Sequence, residues 1–230
     1  MWLSRNAAFD IVDESPDAIV TGNSSVGDAS APVVGYGADA DGATATVDAD
    51  RPDSHARLAN ALHDAAGTMP SPYPVPVGES DRLDALERYD FSTPSLTTHL
   101  DALAVAVRES LDADVGFVGV LDADTERFLG VDGADFTDIS RADAICAHGL
   151  LADDPVCIPD LSSDVRFPTN PLDGFDPAAY AGAPLTTTDG HRLGMVCVLD
   201  GEPREFDADD ERALTWFADQ VASHVEHRGT

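Results

Sequence analysis

The chain has 230 residues, room for one ordinary domain with an extra unit or for two small domains, each around a real core. Its 43 acidic residues stand against 13 basic ones, all of them arginine, and the formal net charge of -30 repels phosphate backbones and anionic lipid, which excludes non-specific binding of nucleic acid or membrane surfaces. A hydrophobic content of 43% and apolar runs such as Val115–Leu121 exclude disorder along the whole chain.

In chain order, residues 4–14 are expected as a short helix, and 18–21, 33–36 and 45–47 as short apolar strands. Residues 57–66 follow as a helix with Leu58, Leu62 and Ala65 or Ala66 on one face. This alternation predicts a piece of α/β parallel sheet over residues 1–66. Residues 67–80 then carry Pro70, Pro72, Pro74 and Pro76, a spacing that favours extended backbone and marks a linker. A charged helix is expected over 81–88. Thr93 and Pro94 supply an N-cap and a first-turn proline for the next helix, whose stripe is Leu96, Leu100, Leu103, Val107 and Leu111.

Val115–Leu121 reads as a buried strand and 127–131 as its hairpin partner across the turn at 122–125. Residues 139–151 are expected as a helix, 156–158 as a strand, and 161–176 as an irregular loop rich in Asp and Pro. Strands at 180–186 and 193–199 are joined by a turn containing Asp189-Gly190, a strong hairpin signal. Asp207 caps a final helix whose first turn holds Asp209, Asp210 and Glu211, in favourable register with the helix dipole. Its apolar stripe is Leu214, Phe217, Val221 and Val225. The whole of 81–228 therefore reads as an α+β domain with one antiparallel sheet.

Abundant Asp, Ala, Gly and Val without a single lysine suit a halophilic protein kept in molar salt, where a screening length of roughly 3 Å at 1 M quenches self-repulsion. The first residues lack an apolar core with a cleavage site, and no run approaches the roughly 20 apolar residues of a membrane span, so a cytoplasmic location is expected. Cys146, Cys157 and Cys197 are odd in number and lack C-x-x-C spacing, which predicts neither a disulfide framework nor a zinc knuckle.

Two resemblances add to this. Pro16-Asp17-Ala18-Ile19-Val20-Thr21 before Gly22, Pro32-Val33-Val34 before Gly37, and Arg51-Pro52 in the place of Lys-Pro resemble the second half of a response-regulator receiver domain. Its phosphorylation residues are missing, which implies a degenerate or truncated fragment over residues 4–66. The second resemblance rests on several strings in order: Arg82-Leu83-Asp84-Ala85-Leu86 with Tyr89-Asp90, Cys146-Ala147-His148, Pro159-Asp160, and Asp164-Val165-Arg166-Phe167 with Asn170-Pro171. Tyr180-Ala181-Gly182-Ala183-Pro184-Leu185, Asp189-Gly190-His191-Arg192-Leu193-Gly194, Val196-Cys197-Val198-Leu199-Asp200 and Pro203-Arg204 complete them. Over residues 80–228 they resemble a GAF domain, of the subtype found in bacterial and archaeal sensor histidine kinases and diguanylate cyclases.

That resemblance implies an antiparallel sheet with helices on one face and a pocket on the other, in a signal-sensing module without catalysis, part of a two-component type of system. Its pocket candidates are Cys146, His148, Asp160, Arg166, Phe167, Asn170, Tyr180, Cys197 and Asp200. Family pockets take cyclic nucleotides, tetrapyrroles and other small molecules through differing residues, so the cofactor or ligand stays open. Terminal helices of such domains often form a dimer bundle, which implies a homodimer with Leu96, Leu100, Leu103, Val107, Leu214, Phe217 and Val221 as dimer-helix candidates; burial of the same stripes against their own sheet is the alternative. Because the chain ends soon after Pro203-Arg204, output is expected to pass through a partner, a sensor kinase or transcription regulator.

Plainer readings stand beside these. Arg166 is expected to pair with Asp160 or Asp164 and pin the long loop, and Phe167 and Tyr180 to anchor the core. Cys146 and His148 sit roughly 200° apart on a helix, too divergent for one metal. A bilin-attaching Cys is directly followed by His in phytochrome-type relatives, whereas Ala147 intervenes here. The alternatives to a sensor are a dimerising adaptor with a vestigial pocket, and a thiol redox enzyme like the free methionine sulfoxide reductases of the superfamily.

Overall fold

A computed structural model describes residues 19–21, 31–37, 43–50, 54–66, 73–164, 166–167, 172 and 174–228. The chain divides into two compact units, Met1–Asp81 and Arg82–Thr230. The helix expected over residues 4–14 lies outside the described residues.

In the first unit, three short strands pair in parallel in the order β1 (Ile19–Thr21), β2 (Val33–Tyr36) and β3 (Ala45–Val47). Helix α1 (Ser54–Ala66) packs on β2 and β3, closing a small core of Val34, Val47, Leu58, Ala61 and Leu62. The apolar face predicted for this helix is the one it buries.

The second unit is α+β. Helix α2 (Glu79–Leu86), which runs into this unit from the boundary, and α3 (Pro94–Ser110) lead into β4 (Val115–Leu121) and β5 (Thr125–Asp132). After β6 (Ile139–Ser140) and the single turn α4 (Cys146–Gly149) come β7 (Val156–Ile158), β8 (Ala179–Thr186), β9 (Arg192–Asp200) and the long α5 (Ala208–Arg228). The strands form one antiparallel sheet in the order β6-β5-β4-β9-β8-β7, so the central pair β4 and β9 joins the two hairpins.

Every residue of β4 is buried, because the sheet is covered on both faces. Alternation then sorts its side chains. Val118 and Val120 of β4, Val196 and Val198 of β9, and Ala181, Ala183 and Leu185 of β8 meet the helices. Helix α3 lies over β4 and β5, and α5 over β8 and β9. Phe117 and Leu121 of β4, Met195, Cys197 and Leu199 of β9, and Tyr180 of β8 point to the other face, beneath the 139–178 connection.

Close approach demands glycine at two central positions. A Cβ on Gly194 would lie 2.0 Å from the Gly119 carbonyl oxygen across the β4–β9 pair, and one on Gly116 would lie 2.5 Å from the Ala104 carbonyl of α3. The Asp189-Gly190 turn forms as its sequence directs, with Gly190 at φ 92° and the Asp189 carboxylate taking the Thr187 hydroxyl at 2.6 Å. Asp207 caps α5 by accepting from the amides of Asp209 and Asp210 at 2.7 and 3.1 Å. The Asp210 carboxylate returns to the Asp207 amide at 3.0 Å, a reciprocal capping box.

Three expectations are corrected. Residues 139–151 do not form one helix: Ile139 and Ser140 pair as β6 with Glu126 and Thr125. Arg141 is then buried, its amide donating to the Asp124 carbonyl at 2.8 Å and its guanidinium to the Asp122 carbonyl at 3.0 Å. Those bonds hold the segment against the β4–β5 turn, leaving only α4 helical. Thr93 has the extended backbone of an N-cap, but its hydroxyl makes no capping bond and lies buried without a partner.

The third correction concerns the dimer helices. Leu96, Leu100, Val107, Leu214, Phe217 and Val221 are all buried in this chain's own core, and Leu103 is partly buried against it. Both stripes are consumed by packing on the sheet, so neither is a free dimer face. The large apolar side chain that α5 leaves exposed is Trp216, at 55%.

Candidate functional site

On the face opposite the helices, the sheet and the 139–178 connection enclose a cavity of about 300 Å³. Phe117 of β4, Glu126 of β5, Tyr180 of β8 and Leu199 of β9 form its sheet side. Ile139, Ile145, Cys146, Leu161, Phe167 and Leu172 close it from the connection. Ser162, Asp176 and Gly201, all exposed, stand at its mouth. Its size falls at the small end of the range for small-molecule sites, and its walls are mostly apolar.

The polar groups inside are unlike one another. The Tyr180 hydroxyl is spent within the protein, 3.2 Å from the Cys197 sulfur and 3.5 Å from that of Cys146, and the two sulfurs are 3.5 Å apart. Gly182 makes this cluster possible, since a Cβ there would lie 2.5 Å from the hydroxyl and 2.8 Å from Cys197 Sγ. Burial pushes the Cys146 thiol and the Tyr180 phenol well above their ordinary values, with Cys197 reinforcing the rise at Cys146. A thiol held protonated is a poor nucleophile. Cys157, half-buried on β7, is pushed up to about 11, again by burial first.

Glu126 is the exceptional group. It is 1% exposed, its Oε1 has no hydrogen-bond partner, and burial pushes its carboxyl up to about 7 against a pull downward from the Cys146 thiol. Room for it exists because position 119 is glycine: a Cβ there would stand 2.6 Å from Glu126 Oε1.

A family model, described as the GAF domain, matches residues 95–225, more than half of the chain. The chain belongs to the GAF domain family. It is similar to a cyclic di-GMP phosphodiesterase of Pseudomonas aeruginosa, 29% identical over 155 residues that span 66% of this chain and 26% of that protein. The chain thus corresponds to about a quarter of that relative's length. Among solved structures it resembles the GAF domain of a phosphoenolpyruvate-protein phosphotransferase from Coxiella burnetii, at a TM-score of 0.52 and 17% identity over 64% of this chain and 92% of the other. The GAF domain of the corresponding Acinetobacter protein is similar at a TM-score of 0.51 and 18% identity, over 65% and 93%. The receiver-like reading of residues 4–66 gains no support from these matches.

Within the GAF domain, Cys146, Phe167 and Tyr180 line the cavity, and Cys197 backs it through the Tyr180 hydroxyl. His148 does not line it. Half-buried, it packs edge-on against Phe167 with ring centroids 5.0 Å apart, and burial, then Arg166, lowers its pKa. Arg166 grips Asp164 with Nε and Nη2, at 2.9 and 2.5 Å, and lies over the Phe167 ring at 5.1 Å, a local arrangement within the loop. Asp160 is turned inward on its own backbone, taking the Ser162 amide and hydroxyl at 2.9 and 2.6 Å.

Asp200 clasps the sheet, accepting from the Asp114 amide and from Arg204, both at 3.1 Å. Asp160 and Asp200 are therefore structural and not cavity residues. Asn170 lies outside the described residues. Among those described, no three His, Cys, Asp or Glu side chains gather as a metal site, and no helix is long and apolar enough to cross a membrane. What the sequence reading missed is Glu126. Its signal was its phase: two residues before Phe128 on a strand with period-2 alternation, it shares that residue's face and so points under the sheet.

Proposed function

We propose that this chain is a sensing module which takes a small molecule into the cavity beneath its sheet, catalyses no reaction itself, and reports occupancy through a partner. The observation that carries this is the cavity of about 300 Å³, walled by apolar side chains and served by one buried carboxyl. Membership in the GAF family, whose domains commonly serve signalling proteins, supports the same reading. The non-catalytic half rests on the thiols: burial raises Cys146 and Cys157, the reverse of the activation that thiol redox catalysis requires. Occupancy is passed on by association with a second copy, a sensor kinase or a transcription regulator, in a cytoplasm of high salt.

The test is to purify the chain from a halophilic host in molar KCl, record its absorption spectrum, and release and identify any bound molecule by mass spectrometry. A single compound near one per chain, lost from an Ile145→Trp variant that fills the cavity, is the expected result. Retention of the compound in that variant would place binding elsewhere. Turnover of free methionine sulfoxide with a dithiol reductant would overturn the non-catalytic reading.

A further inference from the structure

The cavity's chemistry narrows what can occupy it. Among the described residues its lining contains two ionisable carboxyls, Glu126 inside and Asp176 at the mouth, and no arginine, in a chain without lysine. Tyr180 and Cys146 satisfy each other and Cys197, so their polar atoms are already engaged. Glu126 differs. Its carboxyl is fully enclosed and lines the cavity beside the Cys146 thiol, and its Oε1 has no hydrogen-bond partner among the described residues. A buried acceptor of this kind is costly unless something donates to it, and a donor carrying positive charge forms the stronger bond.

We infer that Glu126 selects the occupant of this cavity: a compact, largely apolar ring molecule that presents an N–H donor to Oε1 and carries no phosphate or carboxylate. This rests on the reading of the cavity as the ligand site. Three features converge on it. The lining side chains Phe117, Ile139, Leu161, Phe167 and Leu199 offer a ring only apolar contact. The volume suits one or two rings and little more. An anionic head would meet a carboxyl with no cation among the described lining residues. Gly119 is part of the device, because any side chain there would take the space of the carboxyl. By this chemistry cyclic nucleotides, which bring a phosphate, are excluded.

The experiment uses three probes of one shape: benzamidine, which presents N–H donors and a positive charge; benzoate, its anionic counterpart; and benzene, which has neither. Binding to the full chain in molar KCl is followed by methyl shifts of Ile139, Ile145 and Leu199 in carbon-13 spectra. Benzamidine is expected to shift these methyls saturably, benzoate to leave them unmoved, and Glu126→Leu to weaken benzamidine at least tenfold while benzene binding is retained. Benzene is also the folding control for the variant, since its retention requires an intact cavity, and Glu126→Gln is the second variant should Glu126→Leu not fold. It keeps a carbonyl acceptor but loses the charge, and is expected to weaken benzamidine by less.

Benzoate binding as tightly as benzamidine, or benzamidine binding unchanged by both substitutions, overturns the selectivity. Benzene binding without benzamidine does the same while leaving the ligand cavity standing. If none of the three moves the methyls, the cavity reading falls with it.

Discussion

Glu126 and the carboxylates of the loops titrate in different windows, and that separation makes its role measurable. Asp164 is drawn down to about 2 by Arg166, and Asp189 to about 2 by Thr187 and Arg88, so what they contribute is present above pH 3.8 and lost in more acidic solution. Glu126 is the opposite case: its folded value stands at about 7 against 4.5 unfolded. A group raised in the folded state contributes fully below the unfolded value and loses that contribution as pH rises through the folded one. The stability of the domain is therefore expected to fall between pH 4.5 and about 7 as the enclosed carboxyl is forced to ionise. The full drop is about 3 kcal/mol. The Cys146 thiol bonds to the carboxyl and favours its charged form, and the charge of Asp138 opposes it. Chemical denaturation in molar KCl at pH 5 and pH 8 measures this, and in Glu126→Gln the fall should largely disappear. An identical pH dependence in both proteins would show that Glu126 ionises without penalty.

The two long helices carry the clearest lesson about elements. A stripe of helical period says that a face is covered, and says nothing about what covers it. Leu214 and Phe217 pack on Val221, Ala218 and the sheet within one chain, and α5 is held at its start by the Asp207–Asp210 box and near its end by Glu226, which accepts from the Thr188 amide at 2.8 Å. A substitution that reads as interface-breaking in the sequence is thus fold-breaking in the structure. Leu214→Glu would bury a charge at a site with 0% exposure, and is expected to destabilise by at least about 3 kcal/mol. Loss of near-ultraviolet circular dichroism should accompany it. A folded but merely monomeric Leu214→Glu protein would restore the stripe to the interface. The turn 139–145 teaches the converse: its Ala and Ile content allows a helix, yet pairing of β6 with β5 and the bonds of buried Arg141 decide against one.

Across the molecule, the surface charge sets the conditions under which any of this is seen. With a net charge of -30 and ion pairs that are largely exposed, such as Arg88 with Asp189 and Arg212 with Asp209, attraction between single pairs cannot offset mutual repulsion in dilute buffer. Screening shortens from roughly 10 Å at 0.1 M to roughly 3 Å at 1 M salt. The thermal midpoint is therefore expected to rise steeply as KCl is raised from about 0.1 to about 2 M, with most of the gain below about 1 M, where the screening length changes most. A flat midpoint over that range would remove salt adaptation as the reason for the composition.

Period and turn chemistry were enough to place β4, β5, β7, β8, β9 and the capped final helix, because each is written in neighbouring residues, and the family was legible as a resemblance of motif strings in order. The seven residues of β4, the Asp189-Gly190 turn and the Asp207 cap needed no distant partner to be recognised. Tertiary structure alone decided what the apolar stripes pack on, why Asp200 is structural, and that Glu126 stands enclosed beside Cys146. Those outcomes depend on residues brought together across the sheet: Gly119 on β4 yields the space that Glu126 on β5 fills, and Tyr180 on β8 meets Cys146 and Cys197 over a glycine at 182. Local pattern records which residues are buried, whereas burial against a particular neighbour is a property of the closed sheet.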